Sequence, residues 1–79
     1  MDYLEVAKKN NLNVIEISIL VYLNRKFPHA ASVEEMITSE NANWQVNKGI
    51  SGLINKGLIS KDNNKYKIER DKLYDVIMY

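Results

Sequence analysis

Asn43-Trp44-Gln45-Val46-Asn47-Lys48-Gly49-Ile50-Ser51-Gly52-Leu53-Ile54-Asn55-Lys56-Gly57-Leu58-Ile59-Ser60 is the stretch around which the chain is organised. Asn43 has a short polar side chain able to accept from the free N–H groups of a first helical turn. Val46, Ile50, Leu53 and Ile54 recur at helical spacing on one side, and Gly57 falls where a left-handed residue closes a helix. The spacing predicts a helix over 44–56 with one apolar face. Leu58-Ile59-Ser60-Lys61 then reads as a strand, Asp62-Asn63-Asn64 as a turn, and Lys65-Tyr66-Lys67-Ile68-Glu69 as the returning strand, with Tyr66 and Ile68 on one face. The unit is a helix, an abrupt stop and a hairpin over 58–69.

Three further helix starts precede it. Asp2 can cap a helix over 3–9 that the Asn10-Asn11 pair ends. Asn13 with Glu16 three residues on forms a capping box for a helix over 14–26. That helix carries Val14, Ile17 and Val21 on one stripe, Ile15, Ile19 and Tyr22 on another, and Leu20 and Leu23 between them. It is apolar nearly all round and is expected to be a central, buried strut. Pro28 disfavours helical geometry at Phe27 and stops it. His29, Ala30 and Ala31 cross to the next helix, with His29 an exposed loop residue and the segment a candidate short strand beside the hairpin. Ser32 and Glu35 make a second capping box for a helix over 33–39, and Glu40-Asn41-Ala42 is the turn into the central stretch. Asp71 can cap a last helix over 72–78, whose Leu73, Val76 and Ile77 would cover the central strut or pair with their mates in a dimer. The fold class expected is α+β, mainly α. A three-helix core, a β-hairpin and short terminal helices make a single domain over 1–79.

A chain of 79 residues buries only a modest core, so a partner subunit is worth expecting. With no cysteine and a single histidine there is no disulfide framework, and neither a histidine-based metal site nor a catalytic triad can be assembled within one chain. Carboxylates are scattered, no nucleophile has a base nearby in sequence, and no glycine-rich phosphate loop follows a strand, so neither an enzyme nor a cofactor is expected. The longest apolar run, Ile17 to Leu23, is broken by Ser18, and Met1-Asp2-Tyr3 lacks the basic start of a secretion signal; a soluble cytoplasmic protein, with no membrane partner, is the expectation. The net charge of +1 is unevenly placed. Residues 1–40 hold Lys8, Lys9, Arg25 and Lys26 against six carboxylates, whereas residues 41–67 hold Lys48, Lys56, Lys61, Lys65 and Lys67 against Asp62 alone. The positive charge therefore lies on the helix and hairpin, where it could meet phosphates.

Val46-Asn47-Lys48, Ile50, Leu53 and Lys56-Gly57-Leu58-Ile59 resemble the recognition helix and wing of the winged helix-turn-helix family, in particular its MarR-like and Sar-like regulators. The hairpin departs from the Asp-x-Arg of MarR-like wings, since Asp62 is followed by Asn63, Asn64 and Lys65. The resemblance, over about residues 12–69, implies a small transcriptional repressor that binds double-stranded DNA as a homodimer. The helix over 33–39 is then the first of the helix-turn-helix. Gln45, Asn47, Lys48 and Ser51 supply the side-chain types that read base edges in a major groove. Trp44 and Asn55 join them on the outward face, with Gly52 beside them for close backbone approach to DNA and Gly49 for approach to the preceding helix. Lys61, Asn63, Asn64, Lys65 and Lys67 would lie along the backbone or enter a minor groove. Two other functions fit the same residues. One is a protein-interaction module with Trp44 as anchor, such as a phage-type inhibitor of a host protein. The other is a plasmid or phage replication or partition factor.

Overall fold

A computed structural model describes residues 2–39 and 41–70. Four helices are followed by a two-strand antiparallel hairpin: α1 (Tyr3–Asn10), α2 (Val14–Lys26), α3 (Val33–Met36), α4 (Asn43–Asn55), β1 (Ile59–Asp62) and β2 (Lys65–Ile68). The last expected helix, over 72–78, lies outside the described residues.

Local chemistry accounts for most of the boundaries. Asp2 caps α1 by accepting from the Glu5 N–H at 3.2 Å, and Asn11 ends it in the left-handed region with φ 55°. At the start of α2 the capping box is complete: Asn13 Oδ1 accepts from Glu16 N–H at 2.8 Å and Glu16 Oε1 accepts from Asn13 N–H at 2.9 Å. Phe27, ahead of Pro28, turns to ψ 136° and ends α2. The close of α4 is a Schellman motif. Gly57, at φ 75°, donates its N–H to Ile54 at 2.9 Å, and Leu58 donates to Leu53 at 3.0 Å while both leucines enter the core.

Several boundaries shift by one residue, and two departures from the expectation have an identifiable local cause. The helix placed over 33–39 stops at Met36, because Ile37 is extended and Thr38 folds into a turn with Asn41. Thr38 N–H donates to the Asn41 carbonyl at 3.1 Å, and Asn41 N–H donates to Thr38 Oγ1 at 3.0 Å. A β-branched pair, Ile37-Thr38, whose second member bonds backbone through its own hydroxyl competes with another helical turn. At α4 the cap is Ala42 rather than Asn43. The first helical bond runs from Val46 N–H to the Ala42 carbonyl at 3.0 Å, so the helix begins one residue early and Asn43 is already inside it. Ala42 has no side-chain acceptor, and only the returning half of a capping box forms, Gln45 Oε1 accepting from Ala42 N–H at 2.8 Å.

The core gathers Val6 from α1, Ile19, Leu20 and Leu23 from α2, Met36 from α3, Val46, Ile50 and Leu53 from α4, and Ala31, Leu58, Ile59 and Ile68 around the hairpin. Helix α2 is the strut on which α4 and β2 both rest. It is not buried all round, however: Val14 is 78% exposed, and Ile17 and Val21 are only half-buried among the described residues. Ile54, expected on the apolar side of α4, is exposed as well. The crossing segment pairs with the hairpin as expected, Ala31 and Tyr66 exchanging two backbone bonds of 2.8 and 2.7 Å. This ties the hairpin to the segment between α2 and α3, while β2 lies against α2 and β1 against α4.

Candidate nucleic-acid interface

The interface begins with how α4 is seated. Gly49 and Gly52 both turn toward α2. A Cβ on Gly49 would stand 2.6 Å from Ile19 Cδ1 and 3.0 Å from Ile15 Cγ2. A Cβ on Gly52 would collide with Glu16 Oε2. Gly49 therefore makes a close helix contact, but with α2 rather than with the preceding helix α3, whereas Gly52, expected to face outward, is instead the floor over which the Glu16 carboxylate passes. That carboxylate is buried, and Lys56 Nζ donates to both of its oxygens at 3.1 Å and to the Asn11 carbonyl at 3.2 Å. Lys56 thus clamps the end of α4 to the start of α2. Its charge does not belong to the free positive surface counted from the sequence.

With α4 seated this way, Trp44, Asn47, Lys48, Ser51 and Asn55 are all exposed. Helical geometry gathers these five into an arc of about 100° pointing away from the core, with Trp44 and Lys48 bordering the start of α2. The arc holds no carboxylate, offers neutral donors and acceptors plus one ammonium, and has an indole, 67% exposed, at its leading end. Gln45 is off this arc. It is half-buried and lines, with Asn13, Ile15, Trp44, Lys48 and Gly49, a cleft of about 190 Å³ between the starts of α2 and α4.

The hairpin register sorts the remaining candidates. Ile59 faces Ile68 and Lys61 faces Tyr66, whereas Ser60 faces Lys67 and Asp62 faces Lys65. Alternation therefore puts Lys65 and Lys67 on the face opposite to the core side chains, and Lys61 on the core-side face beyond the last buried residue. Asn63 and Asn64 form the two-residue tip, with Asn63 left-handed at φ 57°. Lys61, Asn63, Asn64 and Lys65 are exposed and Lys67 is half-buried. Chemically, this surface can place ammonium groups against anions and a row of amides and one hydroxyl against polar edges.

Sequence reasoning missed three residues that shape the site. Glu16 fixes Lys56 and lies over Gly52. Asn43 receives the amide of Asn47, whose Nδ2 donates both to the Asn43 carbonyl at 3.0 Å and to Asn43 Oδ1. Asn13 completes the cleft beside Trp44. Only the Asn43–Asn47 pair had a readable signal, its i,i+4 spacing. Among the described residues no cluster of three or more His, Cys, Asp or Glu could hold a metal ion, and no helix is long and apolar enough to cross a membrane. Comparison with family models, with curated proteins and with solved structures finds no match to this chain.

Proposed function

We propose that the chain is a winged helix-turn-helix protein that binds double-stranded DNA through α4 and the hairpin, acting as a small transcriptional repressor that occupies a promoter as a homodimer. The observation that carries this reading is the carboxylate-free exposed arc of Trp44, Asn47, Lys48, Ser51 and Asn55. It stands on a 13-residue helix followed directly by a lysine-bearing hairpin. A major groove admits a helix of this kind, and amide, hydroxyl and ammonium groups are the ones its base edges accept. The Ala31–Tyr66 bridge supports the hairpin's role as a wing, since it ties the hairpin to the body that carries α4. In this reading occupancy, without any catalytic step, produces the effect. Two-fold symmetry would set the two α4 helices about 34 Å apart on a palindromic or repeated site.

Titration of duplex binding against salt tests it. Each phosphate neutralised contributes about −0.9 to the slope of log K against log salt concentration, so a steep negative slope is expected. Duplex binding that is absent, or that ignores salt, refutes the reading. One observation favours a second: Trp44 is exposed beside a cleft of about 190 Å³, as an anchor for a protein partner would be. A Trp44→Ala variant that loses a protein partner while binding duplex unchanged would establish that reading.

A further inference from the structure

Side-chain amides read adenine when both halves are free, the oxygen accepting from N6 and the nitrogen donating to N7. The amides of α4 do not share that freedom. Asn47 Nδ2 already donates inside its own helix to two acceptors, the Asn43 carbonyl and Asn43 Oδ1, so its Oδ1 is the half of the amide left to a ligand. Gln45 gives its Oε1 to the Ala42 N–H and turns into the cleft beside α2. Asn55, in the last turn of α4, is exposed, and its amide has no partner among the described residues. It shares the outward arc with Ser51 and Lys48.

We propose that Asn55 is the adenine-selecting side chain of α4, and that Asn47 selects only an exocyclic amino group, accepting adenine or cytosine without distinguishing them. This rests on the DNA-binding reading above and deepens it by stating what the duplex must present. Eight residues separate the two asparagines, about 12 Å along the helix, so the adenine lies about three to four base pairs from the adenine-or-cytosine position. An acceptor alone rejects the O4 of thymine and the O6 of guanine, which are acceptors themselves, but it cannot probe N7. The restriction on Asn47 comes from Asn43, a residue that itself need touch no base.

Selection of duplexes from a randomised pool by the full chain tests this, with Asn55→Ala and Asn43→Ala run in parallel. The expected wild-type preference has one position fixed as adenine and another shared between adenine and cytosine. Asn55→Ala should erase the fixed adenine and weaken binding to the preferred duplex roughly 5- to 150-fold, leaving the shared position intact. Asn43→Ala frees one Nδ2 hydrogen of Asn47 and should narrow the shared position to adenine alone, a gain that a merely destabilised helix would not give. The proposal is overturned if Asn55→Ala leaves every base preference unchanged, or if Asn43→Ala leaves the second position unaltered while duplexes are still enriched. A wild-type chain that enriches no sequence, with retention indifferent to salt, refutes the DNA-binding reading itself and takes this proposal with it.

Discussion

Glu16 is the one charged side chain that is buried among the described residues, and it holds three separate features at once. It closes the α2 capping box, it fills the space a side chain at position 52 would need, and it pairs with Lys56. The first was legible in the sequence because capping operates over three residues. The other two were not, since Lys56 lies 40 residues away and no local pattern announces the pair. Removing one partner of a buried pair leaves an uncompensated charge, which costs about 3–5 kcal/mol when both groups are fully enclosed. Lys56 keeps contact with solvent, and Glu16 retains the Asn13 N–H, so Lys56→Ala should lower unfolding free energy by about 1–3 kcal/mol in urea titration. Lys61→Ala, at an exposed hairpin position, should stay within about 0.5 kcal/mol of the parent. Glu35 behaves differently. The Ser32 N–H, followed by Lys26, draws its pKa from 4.5 down to about 2. A carboxylate depressed on folding contributes stability that is fully present above its unfolded value and is lost as pH falls through its folded one. The α3 cap should therefore weaken between about pH 4.5 and pH 2, and Glu35→Gln should flatten that part of a stability-versus-pH curve while leaving the neutral-pH helical signal in place.

Helix α4 shows how far element-level reading reaches. Its length, its inward Val46, Ile50 and Leu53, and its glycine stop follow from periodicity and from the left-handed φ that Gly57 tolerates. Its azimuth did not follow, because a wheel shows which residues share a side but not which neighbour each meets. The wheel turns Gly52 outward, whereas in the structure it lies against Glu16. The short α3 escaped for a related reason, since capping predicts where a helix starts better than where a Thr38–Asn41 turn will interrupt it. Two substitutions put numbers on this. Ala in place of Gly normally gains about 1 kcal/mol in a helix interior. Gly52→Ala should instead lose about 1–3 kcal/mol, since its Cβ displaces a carboxylate already pinned by Asn13 and Lys56. A stabilised Gly52→Ala protein would show that Glu16 has room to move. Conversely, Ala42 occupies the cap with extended geometry, φ −73° and ψ 166°, but contributes no acceptor. Ala42→Ser supplies one and should raise the thermal midpoint in step with about 0.5–1 kcal/mol.

At the scale of the whole molecule, what matters is where the positive charge is free to act. The sequence places five lysines against one aspartate over residues 41–67. The contrast with the acidic first half was legible, because charge counting needs no structure. Which lysines remain available was not, because that depends on the α2–α4 crossing and on the hairpin register. Lys56 is held by Glu16, Lys65 stands across from Asp62, and among the described residues Lys48, Lys61 and Lys67 have no carboxylate partner. On the duplex-binding proposal, the lysines separate by measurement. Lys48→Gln and Lys67→Gln should each make the slope of log K against log salt concentration shallower by about 0.9, the value for one phosphate contact, with folding free energy nearly unchanged. Lys56→Gln should do the reverse, lowering stability while leaving the slope where it was, because its ammonium was never available to a phosphate. A Lys56→Gln protein with intact stability and a shallower slope would mean that the clamp opens on binding and that Glu16 gives up its partner to the nucleic acid.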